Sequence, residues 1–93
     1  MPSDDVAADF TTGHNTLSTT AEELVAARVG RMGVTIKNLD AAISIYYGPD
    51  DTVTSSNGFE LKAGESKDVL VQCAIYVIAA SGTPAVCFED RWG

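Results

Sequence analysis

Few residues of this 93-residue chain are able to do covalent or metal chemistry: one histidine, His14, two cysteines, Cys73 and Cys87, and an acidic pair, Asp50-Asp51. A nucleophile and base would require His14 beside a cysteine or serine, with a carboxylate to orient the imidazole. Nothing in the local sequence builds that arrangement, and no G-x-S-x-G elbow, H-E-x-x-H, P-loop or G-x-G-x-x-G occurs. His14 reads as a surface residue at a strand edge. A structural zinc site needs paired short Cys/His spacings, which these three residues lack. Asp50-Asp51, with Asp40 nearby, offers oxygen ligands to calcium but not the spaced pattern of a calcium loop, and Pro49-Asp50-Asp51 is ordinary turn chemistry. The expectation is a protein with no catalytic residue, no metal and no cofactor.

Composition narrows the class further. Ninety-three residues make one small domain, which buries only about 60 % of its unfolded surface, so its stability margin is thin. Thirteen acids against six scattered bases give a net charge of −7 and no basic stripe, which argues against nucleic-acid or anionic-membrane partners. Met1 begins a polar acidic segment rather than a secretory leader, and the most apolar run, residues 69–80, is too short to span a membrane. Synthesis in a reducing cytoplasm is expected. Cys73 and Cys87 sit in apolar strand-like runs, where free cysteine behaves as a small buried hydrophobe, and that reading is preferred over one bridge.

The elements that must position these residues read as strands. In Val34-Thr35-Ile36-Lys37 apolar and polar side chains alternate, the mark of a half-buried strand. Asn38-Leu39-Asp40 interrupts it, residues 41–47 resume as a β-branched and aromatic run, and the two segments read as a hairpin. Later strands are expected over Phe59 to Lys62, Lys67 to Val71, Ala74 to Ala79 and Ala85 to Glu89, separated by turns that include Asn57-Gly58, the strongest short-range turn signal. Seven to eight short strands at this spacing predict an all-β fold, a small antiparallel β-sandwich or barrel, with consecutive strands paired. Residues 1–13 are polar and aperiodic and read as an N-terminal arm, flexible or ordered on a partner, with Val6 and Phe10 as anchors; residues 14–93 form the domain. Residues 18–28 carry a helix-start signature, Thr19 followed by Glu22, and propensity alone gives one short helix; two strands, at 14–18 and 23–25, are the competing reading.

Two strands are apolar on both faces, Ile43 to Tyr47 and Ile75 to Ile78. Such strands are either central in a two-sided core or exposed at an interface. Tyr46, Tyr47 and Tyr76 are therefore candidates for a contact with another subunit, the alternative being that they flank the core.

With its turns laid out, the sequence resembles a family of small β-rich tailed-bacteriophage virion proteins and virion-protein domains. The resemblance covers about residues 14–90 and rests on Gly30-Arg31 through Asn38, Tyr46-Tyr47-Gly48, the Ser55-Ser56-Asn57-Gly58 turn with Phe59-Glu60-Leu61, Ala63-Gly64-Glu65-Ser66, Ile75-Tyr76-Val77-Ile78, and Ala85 to Glu89. In similar proteins the span before Gly30-Arg31 is extended, which favours strands over a helix there. The resemblance implies a capsid decoration (cement) protein on the outer surface of a virion, bound to the major capsid protein as a homo-oligomer, trimer being the first guess. A tail- or fibre-associated module binding host glycan, with Tyr46, Tyr47 or Trp92 stacking on sugar faces, is the alternative.

Overall fold

The computed structural model describes residues 7–93. The described residues form eight strands: β1 (Asp9–Thr16), β2 (Glu22–Val25), β3 (Arg31–Asn38), β4 (Ile45–Gly48), β5 (Phe59–Leu61), β6 (Ser66–Val69), β7 (Ile75–Ala79) and β8 (Ala85–Trp92). They form two four-stranded antiparallel sheets, ordered β1-β8-β3-β6 and β2-β7-β4-β5. The pairings nest: β1 with β8, β2 with β7, β3 with β6, β4 with β5. The chain is thus one long hairpin with its tip between β4 and β5, rolled up until β3 also meets β8 and β4 meets β7. That is the jelly-roll form of a β-sandwich.

Alternation decides what each strand buries. Val34 and Ile36 of β3, Ile75 and Val77 of β7, and Val86 of β8 are 2 % exposed or less and fill the space between the sheets. Residues 18–28 contain a strand and no helix. Leu24 and Val25 are buried there, and β2 gains a ladder along β7, whereas an isolated helix of that length is marginal.

Three expectations are corrected. The hairpin between residues 34–37 and 41–47 does not form, because β3 and β4 belong to different sheets. Consecutive pairing survives only at β4 and β5; the other connections cross from one sheet to the other. The boundary expected at residue 13 falls inside β1, which pairs with β8 continuously from Asp9 to Thr16, so residues 9–13 belong to the sandwich. A run of Thr, Gly and Asn reads as irregular in sequence, and β8 supplies the partner that makes it a strand.

The physical reason for the crossing after β3 is Asn38, which is fully buried. Its Nδ2 donates to the carbonyls of Ile43 (2.8 Å) and Leu61 (3.0 Å), and its Oδ1 accepts from the Asp40 N–H (3.0 Å). Asp40 then accepts from the Ala42 and Ile43 N–H groups and turns the chain toward the second sheet. A hairpin would leave the buried Asn38 amide without these partners.

Arg31, at the other end of β3, has a side chain only 1 % exposed. Its Nε donates to Asp90 Oδ1 of β8 at 2.9 Å, its Nη1 to the Cys73 carbonyl at 2.8 Å, and its Nη2 to the Ala26 carbonyl. Among the described residues no buried side-chain nitrogen or oxygen lacks a hydrogen-bond partner.

Two outcomes follow for stability. Asp90→Asn leaves a buried guanidinium without its counter-charge and should destabilise the domain by about 3–5 kcal/mol in urea unfolding. The double variant Arg31→Met with Asp90→Leu, which removes both charges, should lose less than the single variant. The Asp40 carboxyl is held below its ordinary value by the N–H groups of Ala42 and then Ile43. Its stabilising contribution is therefore present above the unfolded value of about 3.9 and is lost as pH falls through the lower folded value. Asp40→Ala should unfold with less pH dependence in that acid window, measured by urea titrations at neutral and acid pH.

Candidate partner interface

The two doubly apolar strands lie side by side in the centre of the second sheet, with Tyr46 opposite Ile78 and Gly48 opposite Tyr76. On β4, Ile45 is fully buried and Tyr47 points with it toward the core, while Tyr46 takes the outer face. On β7, Ile75, Val77 and Ala79 point in, and Tyr76 and Ile78 point out. Tyr46, Tyr76 and Ile78 therefore form one partly exposed apolar stripe on the outer face of the second sheet, bordered by the 49–58 loop.

Carboxylates ring this stripe. Glu23 is the register partner of Tyr76, and Glu60 is that of Tyr46. The Tyr76 hydroxyl donates to Glu23 Oε2 at 3.5 Å, and Ser44 Oγ donates to Glu60 Oε2 at 2.9 Å. Repulsion from the Glu23 carboxylate, burial and the charges of Asp51 and Asp50 together raise the Tyr76 phenol above its ordinary value.

Asp50 and Asp51 reach this face because the 49–58 loop folds back against the outer side of β4. Val53, 4 % exposed, is its anchor. A Cβ built on Gly48 or Gly58 would come within 2.9 and 2.7 Å of the Val53 side chain, so both positions need glycine for close approach. Gly58 is not among the left-handed glycines, so Asn57-Gly58 makes no two-residue hairpin turn. Asn57 instead closes the loop with its side chain, Oδ1 accepting from the Thr54 N–H (2.7 Å) and Nδ2 donating to the Thr52 carbonyl (3.2 Å). Asp50 is likewise a turn residue, accepting from Thr52.

The remaining candidates lie elsewhere. Tyr47 packs on the inner side with Phe59, ring centroids 5.4 Å apart, and burial raises its phenol. Phe10, 58 % exposed, is on the outer face of the first sheet, opposite Arg91. Trp92 ends β8 beneath the Arg28 guanidinium, 3.8 Å from the ring centroid, so one indole face is already covered. Val6 lies outside the described residues. Tyr46 and Tyr76 thus share one face, with Ile78 opposite Tyr46, where the alternation of β7 places it.

His14 and Cys87 are register partners on the outer face of the first sheet. No hydrogen bond joins imidazole and thiol, and the Glu89 carboxylate is held by Arg91 Nη1 at 3.1 Å rather than by His14. Both cysteines are free, yet neither is buried as expected: Cys87 faces outward from β8 and is half-buried, and Cys73 is exposed in the β6–β7 connection. Among the described residues no cluster of three His, Cys, Asp or Glu is placed to hold a metal ion.

Replacing Glu23 by Gln removes the main cause of the raised Tyr76 phenol and should bring its titration down toward 10, read from the tyrosine ring carbon shifts in NMR. The sign for stability is that the unfolded chain releases this proton first as pH rises, so stability falls from about pH 10 upward, and less so in the variant.

No protein-family model matches this chain, and no curated protein matches it in sequence. Among solved structures, the chain is similar to the stem and receptor-binding domain of the spike protein P1 from bacteriophage PM2, with a TM-score of 0.64 and 17 % identity over 82 % of this chain and 31 % of that chain. It is also similar to a Bacillus endospore appendage protein of a family described as disulfide-linked pili, with a TM-score of 0.52 and 16 % identity over 90 % of this chain and 84 % of that chain. The chain spans about a third of that stem and receptor-binding chain, and what it shares with both is the β-sandwich fold.

Proposed function

We propose that this chain is a non-enzymatic structural protein of a bacteriophage virion, and within that class a capsid decoration protein that binds the outer surface of the head. The observation that carries the reading is the Tyr46, Tyr76 and Ile78 stripe, a partly exposed aromatic patch on the outer face of the second sheet, bordered by the 49–58 loop. Aromatic side chains of this kind are enriched in the buried centres of protein interfaces. The jelly-roll fold it sits on is similar to that of a phage spike domain, which supports a place on a virion.

The proposed mechanism is mechanical rather than chemical. Each copy bridges neighbouring major capsid protein subunits, so opening the lattice must also break the bridge. A ligand that prefers the assembled state stabilises it by mass action, and many weak contacts on one lattice act together. The carboxylates around the stripe favour a capsid surface that presents Lys or Arg at its rim.

A second reading, a spike- or fibre-associated module that binds host glycan, is favoured by the spike neighbour's own description as a stem and receptor-binding domain. Tyr46 and Tyr76 would then be the stacking surface, since Arg28 covers one face of Trp92. Immunogold labelling of intact virions separates the two. Gold spread over the head is the expected result; gold confined to spikes or tail fibres would move the glycan reading to first place, and unlabelled virions would remove both. The Tyr46→Ala, Tyr76→Ala double variant should keep the far-ultraviolet spectrum of the folded domain and attach to heads at least tenfold more weakly.

A further inference from the structure

Each sheet has two edges, and three of the four edges are blunted in recognisable ways. β5 is three residues long and carries Glu60; β6 is four residues long and carries Lys67 and Asp68; β2 carries Glu22 and Glu23 and a register shift. Shortness, charge and bulges are the devices that keep sheet edges from pairing with other chains. β1 has only Asp9, at its first position, where the carboxylate takes the Phe10 N–H. It runs eight residues in unbroken register with β8, is exposed along most of its length, and reads Asp-Phe-Thr-Thr-Gly-His-Asn-Thr without proline or lysine.

The polarity of that edge can be read residue by residue. The Leu17 N–H donates to the Pro84 carbonyl at 2.8 Å, in line with the register that sets Thr16 opposite Ala85. Hydrogen-bonding positions alternate along an antiparallel pair, so Asn15, Gly13 and Thr11 bond to β8, while Phe10, Thr12, His14 and Thr16 turn their N–H and C=O groups to the free side. Phe10 agrees, since its N–H is taken by the Asp9 carboxylate at 2.8 Å and not by β8.

We propose that the free edge of β1 is a self-association site, on which a second copy of this chain adds its own β1 in antiparallel orientation about a two-fold axis at Thr12. An antiparallel pair must match outward-turned residues with outward-turned residues. The Thr12 axis does so, setting Phe10 opposite the partner's His14 and Thr12 opposite the partner's Thr12. On the other face it sets Asp9 opposite the partner's Asn15 and Thr11 opposite the partner's Gly13. The apolar Phe10 gains an aromatic neighbour at cross-strand distance, and the two Asp9 carboxylates each meet an amide rather than one another. Two chains of net charge −7 can approach along this seam because Asp9 is its only acid on either copy. A single strand pair buries a small area, which makes the dimer a weak one that exchanges in solution. The pair is two-fold, whereas the sequence resemblance implied a trimer, and it does not depend on the virion reading.

The test is sedimentation velocity of the full chain across a concentration series, joined to amide hydrogen exchange. The expected result is a concentration-dependent monomer–dimer equilibrium in which the Thr12 and His14 amides become protected as dimer forms, while the Thr11 and Gly13 amides are protected throughout. Thr12→Pro removes only an N–H that β8 does not use. Thr12→Lys sets two ammonium groups against each other on the axis. Either variant should raise the dissociation constant at least tenfold, and Thr12→Lys should keep the wild-type melting temperature within a few degrees, so a dimer lost through misfolding is recognised. A wild-type chain that stays monomeric up to about 1 mM would overturn the proposal. So would a dimer that neither variant weakens, and so would a monomeric chain whose Thr12→Pro variant alone fails to attach to virions, which would assign the edge to a foreign strand.

Discussion

The fold depends on β3 being fastened at both ends to the opposite sheet. Its first residue, Arg31, donates to the carbonyls of Ala26 and Cys73, which lie in the links that follow β2 and precede β7. Its last residue, Asn38, donates to the carbonyls of Ile43 and Leu61, just before β4 and at the end of β5. Apolar contacts hold two sheets together but permit them to slide and rotate, because the hydrophobic effect has no direction. Buried hydrogen bonds have direction, and a buried guanidinium or amide displaced from its carbonyls loses far more than a methyl group displaced from its neighbours. Arg31 and Asn38 therefore set the register between the sheets, and Asp90, reached from Arg31 at 2.9 Å and Arg28 at 3.6 Å, ties that register to β8.

Nesting makes such fastening necessary. When strands pair as first with last and second with second-to-last, most ladders join residues far apart in sequence, and each closes a long loop before it returns any stabilisation. Only β4 and β5 are joined directly, and even they enclose a ten-residue loop that has to be folded against β4 by Val53 before the tip is compact. The Asp50 and Asn57 side chains do this work with local hydrogen bonds. The tip is thus organised by short-range chemistry and the open end of the hairpin by the long-range Arg31–Asp90 pair.

This division explains what was legible in the sequence. The alternation in Val34-Thr35-Ile36-Lys37, the all-β class and the strand ends at glycine and proline are local properties, and local reading finds them. The partner of each strand is not local. Asn38-Leu39-Asp40 has the composition of a hairpin turn, and nothing in those three residues says that the Asn38 amide will be buried against Leu61 instead of exposed at a turn. Asn57-Gly58 lies in a turn as its sequence says, but what the structure needs from Gly58 is the close approach of Val53 rather than a positive φ. Arg31 and Asp90 are fifty-nine positions apart and read separately as one scattered base and one acid near the end. For the interface, the period of two was enough to separate Tyr46 from Tyr47, but only the roll-up set Tyr46 beside Ile78 and brought the 49–58 loop acids to Tyr76.

Charge then sorts the surfaces by the partners they admit. On the outer face of the second sheet every strand but β7 brings a carboxylate toward the tyrosine stripe or adjoins a loop that does: Glu23 from β2, Glu60 from β5, and Asp50 and Asp51 from the loop after β4. Two copies meeting there would set like charges together at short range, where screening by salt is weakest. A surface with Lys and Arg at its rim meets no such barrier. The first sheet is built differently, with Arg91 bridging Glu89 and Thr35, and Thr35 bonding Asp68, so that Arg91, Glu89 and Asp68 are linked in one network on its outer face. On the decoration reading proposed above, a chain of net charge −7 standing in many copies on one surface needs one face that repels its own kind and one boundary that does not. The acid-ringed tyrosines and the uncharged middle of β1 meet those two requirements on opposite sheets, so contact with a foreign surface through one leaves the other open to a neighbouring copy.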